Sequence, residues 1–264
     1  RVFTGQQHPG KHLMNLALLG TSHGIKFQHY FLRLGLEIPC HNYSQSEWLD
    51  GFNSGSLYLS ENYLKFKDLS IDLNSLDALI MVDFGFQYRL LETYLIQKGY
   101  LPEDLFLKFE FPSSVIPISN EYARSFAIHC SGVSNRVNEK SLTGLGALVK
   151  SLSSSVPIIL VPAYLPGHIY SNNDNQRSEK LYRSHVNQFL HSQYSKVLKE
   201  TFAENRVEVI YQEKDWLNDD FSMPKKYWAE DIENQWGKMS HQNDLFVELI
   251  WPKIASLITK FLDD

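Results

Sequence analysis

A serine stands at the end of an apolar run, in the stretch Leu16-Ala-Leu-Leu-Gly-Thr-Ser-His-Gly24. The run is long enough for a buried strand, and residues 25–36 after it have the spacing of an amphipathic helix. A serine is a weak nucleophile unless its hydroxyl is exposed, beside a base and near N–H groups aimed at a developing oxyanion. A strand-to-helix turn with Ser22 at its tip meets those needs, and Gly20 and Gly24 permit a sharp turn.

The same stretch has a purely structural interpretation, in which Thr21 or Ser22 caps the helix, because both residue types favour that position. The pentapeptide alone does not decide between a capped helix and a nucleophile. The decision depends on the elements that must place other polar residues beside Ser22.

Length and composition indicate an ordinary folded domain. The chain has 264 residues, of which 43% are hydrophobic and 21% are charged, and this length suits a single α/β unit. We predict one domain over residues 12–264, preceded by a polar linker or tail at residues 1–11. The net charge of −5 and the lack of a dense basic stripe argue against nucleic acid as a partner. No apolar run is long enough to span a bilayer.

The number of cysteines and the spacing of histidines indicate whether the chain has a disulfide framework or a metal site. Cys40 and Cys130 are too few for a disulfide framework, and two buried thiols in a reducing compartment is the simplest interpretation. A cytoplasmic location is therefore favoured, although the chain begins with Arg1 and is compatible with a processed product or flanking domains. No histidine pair has metal-ligand spacing with a carboxylate partner, so we predict no metal site.

Strands and helices alternate along the chain, and the strands are apolar throughout. This pattern predicts a parallel sheet covered on both faces by helices. Strands are predicted at residues 13–19, 40–43, 77–82, 156–161 and 207–211, and helices at residues 26–36, 89–98, 122–130, 142–153, 178–205 and 245–262.

Ligands of such sheets bind beyond the carboxyl ends of the strands. Two polar stretches, residues 46–60 and 163–176, are predicted to be loops that face a ligand there. The loop from Asp83 to Gln87 and the segment around His241 are expected at the same edge. Predicted substrate contacts at this edge are His23, Asn53, Asp83, Tyr164 and His168.

With these positions in order, the chain resembles the SGNH (GDSL-like) hydrolase family in three short motifs. Gly20-Thr-Ser-His23 is similar to the first block, Asn53-Ser-Gly-Ser56 to the second, and Ser240-His-Gln-Asn243 to the last. The resemblance implies a three-layer α/β/α fold with a parallel sheet of about five strands. It also implies Ser22 as nucleophile, His241 as base, and the Ser22 and Gly55 N–H groups as oxyanion donors.

The chain departs from the family pattern at three positions. Thr21 stands where Asp is usual, and Lys238 stands where the family has the Asp that orients the histidine. A backbone carbonyl, or a carboxylate from elsewhere such as Asp231 or Asp215, is the candidate replacement for that acid. The third block usually offers an Asn as an oxyanion donor, and here Gln87 is the candidate amide.

The predicted activity is serine-dependent acyl transfer through an acyl-Ser22 intermediate, on ester-linked groups, chiefly acetyl, of a carbohydrate. Water as acceptor would make the protein an esterase, and a polysaccharide or small-molecule hydroxyl would make it an O-acetyltransferase, with acetyl-CoA as a candidate donor and no bound cofactor. Gly20-Thr-Ser-His-Gly24 also fits the nucleophile elbow of α/β-hydrolases, in which several strands precede the serine.

A non-catalytic carbohydrate-binding module with a decayed site is the alternative from another class. Tryptophans bear on any carbohydrate role, because exposed indoles stack on sugar rings whereas buried indoles fill a core. Four of them fall in predicted loops near the same edge: Trp48, Trp216, Trp228 and Trp236.

Overall fold

A computed structural model describes residues 15–84, 100–106, 115–130, 145–164, 176–233 and 241–263. The predicted linker at residues 1–11 and the predicted helix at residues 89–98 lie outside the described residues. So does most of the polar stretch at residues 163–176.

The strands, in chain order, are β1 Leu16–Gly20, β2 Cys40–Asn42, β3 Tyr58–Ser60, β4 Tyr63–Phe66, β5 Leu69–Asp72, β6 Ala78–Val82, β7 Tyr100–Pro102, β8 Ile116–Ile118, β9 Ile158–Val161 and β10 Val207–Val209. The helices are α1 Gly24–Arg33, α2 Gln45–Ser54, α3 Glu103–Phe106, α4 Asn120–Cys130, α5 Gly146–Ser153, α6 Gln176–Phe202 and α7 Asp244–Asp263.

A five-stranded sheet in the order β10-β9-β6-β1-β2 forms the centre of the fold, and all of its strand pairs are parallel. Every residue of β1, β6 and β9 is buried, whereas the edge strands β2 and β10 are half-buried. Continuous apolar strands suit the middle of a sheet that is covered on both faces. Helix α1 packs against α7, and α4 packs against α6. The predicted three-layer α/β/α fold with about five parallel strands is confirmed.

The chain reverses direction across the sheet between β1 and β6. After β2 it passes back over β1 to form β6, so β1 and β6 lie side by side although 57 residues separate their ends, Gly20 and Ala78. In open α/β sheets this switch point opens a crevice at the carboxyl ends of the strands. Ser22 follows β1 and Asp83 follows β6, so both residues are placed at that crevice.

The prediction of a loop over residues 46–60 is wrong, because residues 45–54 form helix α2. Ser44 caps the helix: its hydroxyl accepts the Glu47 N–H, and the Glu47 carboxylate accepts the Ser44 N–H. This reciprocal capping box has a sequence signature, Ser-x-x-Glu, in a segment that is otherwise rich in Ser, Asn and Gly.

The antiparallel sheet β3-β4-β5 was also missed. Its strands are only three or four residues long, and it buries Leu64, Phe66 and Ile71 on one face while Tyr58 and Tyr63 are exposed on the other. This alternation has the strand period of two, which short segments between turns display weakly. In the part of the chain that the structure describes, no helix combines the length and apolar character needed to cross a bilayer.

Two glycines let the chain turn sharply after β1. A Cβ at position 20 would lie 2.4 Å from Asn42 Oδ1 and 2.7 Å from the Cα of Gly24, and a Cβ at position 24 would lie 2.0 Å from Asn42 Oδ1. Because one of these neighbours is backbone, the clash at position 20 cannot be relieved by a side-chain rotation. The turn that presents Ser22 therefore requires glycine at position 20.

We expect Gly20→Ala to lower the free energy of unfolding by about 2 kcal/mol, since an added methyl group must push the α1 backbone away from β1. Urea unfolding followed by circular dichroism measures the change. Gly35→Asn is the matched control, because position 35 has φ +67° and no atom within 4 Å of an added Cβ, and Asn tolerates this conformation. Equal losses in the two variants would contradict the account of the turn.

Candidate active site

Ser22 lies at the tip of the turn between β1 and α1, and its side chain is exposed. The carbonyl of Gly20 below it accepts two hydrogen bonds, from the Tyr43 N–H at 3.1 Å and from Trp48 Nε1 at 2.9 Å. Trp48 is fully buried and stacks on Phe66. The turn is therefore held from beneath by a rigid aromatic side chain of α2.

The helix-capping interpretation of the turn is wrong. The residue at the N-cap position of α1 is His23, and no side chain accepts a hydrogen bond there. Thr21 directs its hydroxyl to Asp83, and Ser22 directs its hydroxyl to His241. Neither hydroxyl satisfies the first turn of the helix, so the positive end of α1 stays available to an anion.

His241 is brought to Ser22 by a short antiparallel bridge just before α7. The Ala229 N–H donates to the His241 carbonyl and the Asn243 N–H donates to the Tyr227 carbonyl, both at 2.9 Å. His241 Nε2 lies 3.0 Å from Ser22 Oγ. This is hydrogen-bond distance, so a neutral His241 with its lone pair on Nε2 can accept the serine proton.

Thr21 and Asp83 join the ends of the two central strands. The Thr21 hydroxyl, 2% exposed, donates to Asp83 Oδ2, and the Asp83 N–H donates to the Val161 carbonyl at 2.6 Å. Asp83 is 8% exposed and has φ +68°, a left-handed conformation that Asp tolerates better than most residues. The predicted substrate contact at Asp83 is therefore corrected, because its carboxylate is buried and bonded within the protein.

His23 lies between Asp83 and His241. Its Nδ1 atom is 4.0 Å from Asp83 Oδ1, and its side chain is 13% exposed. Its ring meets the His241 ring edge to face, with the centroids 4.5 Å apart and the planes at 70°. His23 therefore contacts the candidate base, a role that differs from the predicted substrate contact.

The two predicted replacements for the triad acid have other surroundings. Asp231 pairs with Lys26 on α1, with Nζ 2.7 Å from Oδ2, and this hydrogen bond lowers the pKa of the Asp231 carboxyl. Asp215 is exposed in the short 3-10 helix Lys214–Trp216. In the described structure neither carboxylate is within hydrogen-bond distance of the His241 ring. Lys238 itself lies outside the described residues.

The predicted oxyanion donors are Ser22, Gly55 and Gln87. Within the described part of the chain, the N–H groups of Ser22 and His23, just before α1, have no hydrogen-bond acceptor. The Gly55 N–H instead donates to the Phe52 carbonyl at 3.4 Å, because Gly55 ends α2 in a left-handed conformation. Gly55 is therefore corrected from an oxyanion donor to a helix cap. Gln87 lies outside the described residues.

Of the other predicted substrate contacts, the structure describes Tyr164 and Asn53. Tyr164 is 2% exposed, its hydroxyl donates to the Ile210 carbonyl at 2.6 Å, and burial raises its pKa well above the usual value. It is a core residue, so the prediction of a substrate contact at Tyr164 is wrong. Asn53 is exposed in the last turn of α2, about 8 Å along that helix from Trp48. His168 lies outside the described residues.

The tryptophans fill the core. Trp48 is 0%, Trp216 6% and Trp228 8% exposed, so these three are excluded as stacking platforms for a sugar. Trp236 lies outside the described residues. The indole N–H of Trp228 donates to the Met223 carbonyl, which shows how the polar tip of a buried tryptophan is satisfied.

The described structure also bears on thiol and metal chemistry. Cys40 is a free thiol whose Sγ donates to the Ile38 carbonyl, and burial raises its pKa to about 11. It is therefore protonated at neutral pH and a poor nucleophile. Among the residues with described positions, no group of three or more His, Cys, Asp and Glu side chains could hold a metal ion.

Comparisons with known proteins do not assign the chain to a family. No protein-family model matches it, and no curated protein matches it. A solved structure from Streptococcus pneumonia, described provisionally as a platelet activating factor, is similar over 95% of this chain and 86% of its own, with 12% identity and a TM-score of 0.41. Both values are too low to show a shared family.

Proposed function

We propose that this protein is an acyl-transfer enzyme in which Ser22 is the nucleophile and His241 the general base. The observation that carries the proposal is the 3.0 Å separation of Ser22 Oγ and His241 Nε2 across 219 residues of chain. A serine at the tip of a strand-to-helix turn beside an imidazole is the arrangement that activates a hydroxyl.

The chemistry follows from the geometry. As Ser22 Oγ attacks the ester carbon, the Oγ–H bond breaks and its proton moves to His241 Nε2. The carbonyl oxygen becomes an oxyanion, which the Ser22 and His23 N–H groups and the positive end of α1 stabilise. His241 then gives the proton to the leaving alkoxide, and an acyl-Ser22 ester remains. A second hydroxyl, from water or another acceptor, regenerates the serine.

The alternative of a decayed binding module rests on two departures from the family pattern, Thr21 and Lys238. The surroundings of Thr21 weaken the first of these arguments. Thr21, which departs from the family pattern, is buried and donates its hydroxyl to Asp83 at the base of the site. A threonine that fixes the neighbouring strand is compatible with a working serine. Gly20-Thr-Ser-His-Gly24 also fits the nucleophile elbow of α/β-hydrolases, so an α/β-hydrolase-type esterase stays an alternative.

The acyl group and its acceptor follow from the resemblance to SGNH proteins alone. We propose acetyl esters of a carbohydrate, or a carbohydrate hydroxyl as acceptor with acetyl-CoA as a candidate donor. The features that suggested sugar contact now give little support, since Trp48, Trp216 and Trp228 are buried. The exposed faces of Tyr58 and Tyr63 on β3 and β4 are aromatic surfaces on which a sugar can stack.

We expect Ser22→Ala to lower kcat/KM for p-nitrophenyl acetate by about a thousandfold, and His241→Gln by about a hundredfold or more. The wild-type rate should fall below a midpoint of about pH 6.5, because only neutral imidazole accepts a proton. Initial rates from pH 5 to 9 measure both effects.

The matched controls are Ser54→Ala and His29→Ala, which remove an exposed serine and an exposed histidine of α2 and α1. Both should keep the wild-type rate. Unchanged hydrolysis in Ser22→Ala, or a rate that is flat from about pH 5 to 8, would refute the assigned roles.

We expect acetyl transfer to depend on the acceptor if the enzyme is a transferase. Purified protein given acetyl-CoA should release free CoA rapidly only when a polysaccharide with free hydroxyls is added. An esterase would instead release acetate from an O-acetylated polysaccharide without any acceptor but water. If the wild-type protein catalyses neither reaction above the Ser22→Ala blank, carbohydrate is rejected as the substrate class.

A further inference from the structure

Four side chains form a continuous series at the carboxyl end of the sheet. Asp83 Oδ1 lies 4.0 Å from His23 Nδ1, the His23 ring meets the His241 ring at 4.5 Å, and His241 Nε2 lies 3.0 Å from Ser22 Oγ. The side chains of Asp83 and His23 take no part in bond making or proton transfer in the proposed function.

Asp83 is held in one place by its hydrogen bonds and its burial. One carboxylate oxygen accepts the buried Thr21 hydroxyl, and the backbone N–H bonds to Val161 on the adjacent strand β9. The side chain is 8% exposed, and the backbone has φ +68°. A conformation of this kind costs free energy and persists only where the surroundings fix it, often beside a functional site.

His23 lies between the Asp83 carboxylate and the ring of His241, so Asp83 can affect the orientation of His241 through His23. At 4.0 Å its Nδ1 atom is beyond hydrogen-bond distance from Asp83 but close enough for an attraction between an N–H at Nδ1 and the carboxylate. A proton on Nδ1 facing the carboxylate is preferred to a lone pair there, which favours one tautomer and one ring orientation. The edge-to-face contact then leaves the His241 ring little freedom to rotate away from Ser22.

We infer that Asp83 and His23 are a positioning pair for His241, which orients its ring and stabilises its positive charge when it takes the Ser22 proton. This inference rests on the proposed function. No proton moves along the pair: Asp83 stays a carboxylate, and His23 keeps its proton on Nδ1. On the same helix as His23, Lys26 pairs with Asp231, with Nζ 2.7 Å from Oδ2.

The variants Asp83→Asn and His23→Phe separate charge from packing. Asn keeps the shape of Asp, tolerates positive φ and still accepts from Thr21, but carries no charge. Phe keeps an aromatic ring against His241 but offers nothing to Asp83. His29→Ala is the matched control, because His29 is exposed on the same helix.

Two readouts are measured on the whole chain. The first is kcat/KM for p-nitrophenyl acetate from pH 5 to 9, and the second is the titration of the His241 ring by NMR, assigned with His241→Gln. In Asp83→Asn we expect kcat/KM to fall about tenfold and the His241 midpoint to move down by about half a pH unit or more, since imidazolium loses a nearby negative charge. In His23→Phe we expect a similar loss of rate.

The double variant should be no worse than the poorer single variant, because residues that act as one unit are not additive. An unmoved His241 midpoint in Asp83→Asn, or additive losses in the double variant, would overturn the positioning pair. If wild type hydrolyses the ester and neither variant changes rate or midpoint, the pair is wrong and the proposed function stands. If wild type is inert but the midpoint still moves, the proposed function fails and the contact between the pair and His241 stands.

Discussion

The hydrogen bond between Thr21 and Asp83 is the contact on which the candidate site depends. It joins the residue after β1 to the residue after β6, at the point where the chain reverses across the sheet. A buried hydroxyl and a buried carboxylate are each costly without a partner, so the pair fixes both strand ends. Ser22 and His23 follow Thr21 directly, and their placement is set by this bond and by the glycines on either side.

The second half of the site comes from the far end of the chain. His241 is held through backbone hydrogen bonds to the segment from Tyr227 to Ala229, and the Lys26–Asp231 ion pair ties the same segment to α1. The ion pair is largely exposed, with 64% of the Asp231 side chain open to solvent, so it contributes little stability. The backbone bridge, together with the burial of Phe246 and Val247 at the start of α7, fixes the base.

The sequence alone predicts the sheet and the Ser22–His241 pair well. Strands that are buried on both faces are apolar without interruption, as in β1, β6 and β9. This pattern can be recognised without knowing which residues pack against the strands. The fold class then places the loops after these strands at one edge. The catalytic roles of Ser22 and His241 remain proposals, although their side chains meet at 3.0 Å.

What the sequence does not predict depends on contacts between distant residues. Tyr164 and Trp48 are typical of a binding surface when considered alone, and only the packed core shows that both are buried. The surroundings of Asp83 are formed by Thr21 and His23, which follow a different strand of the sheet. No pattern near Asp83 in the sequence indicates these contacts. Helix α2 could have been predicted from Ser44 and Glu47, because a capping box outweighs a composition rich in Ser and Gly.

The most direct test of the central claim is to locate the covalent adduct. Folded protein is treated with one equivalent of a fluorophosphonate, digested, and sequenced by tandem mass spectrometry. The account predicts one adduct per chain, on Ser22, that is absent when the protein is unfolded before treatment, because the reactivity comes from His241 and α1. An adduct on another serine, or equal labelling of folded and unfolded protein, would contradict it.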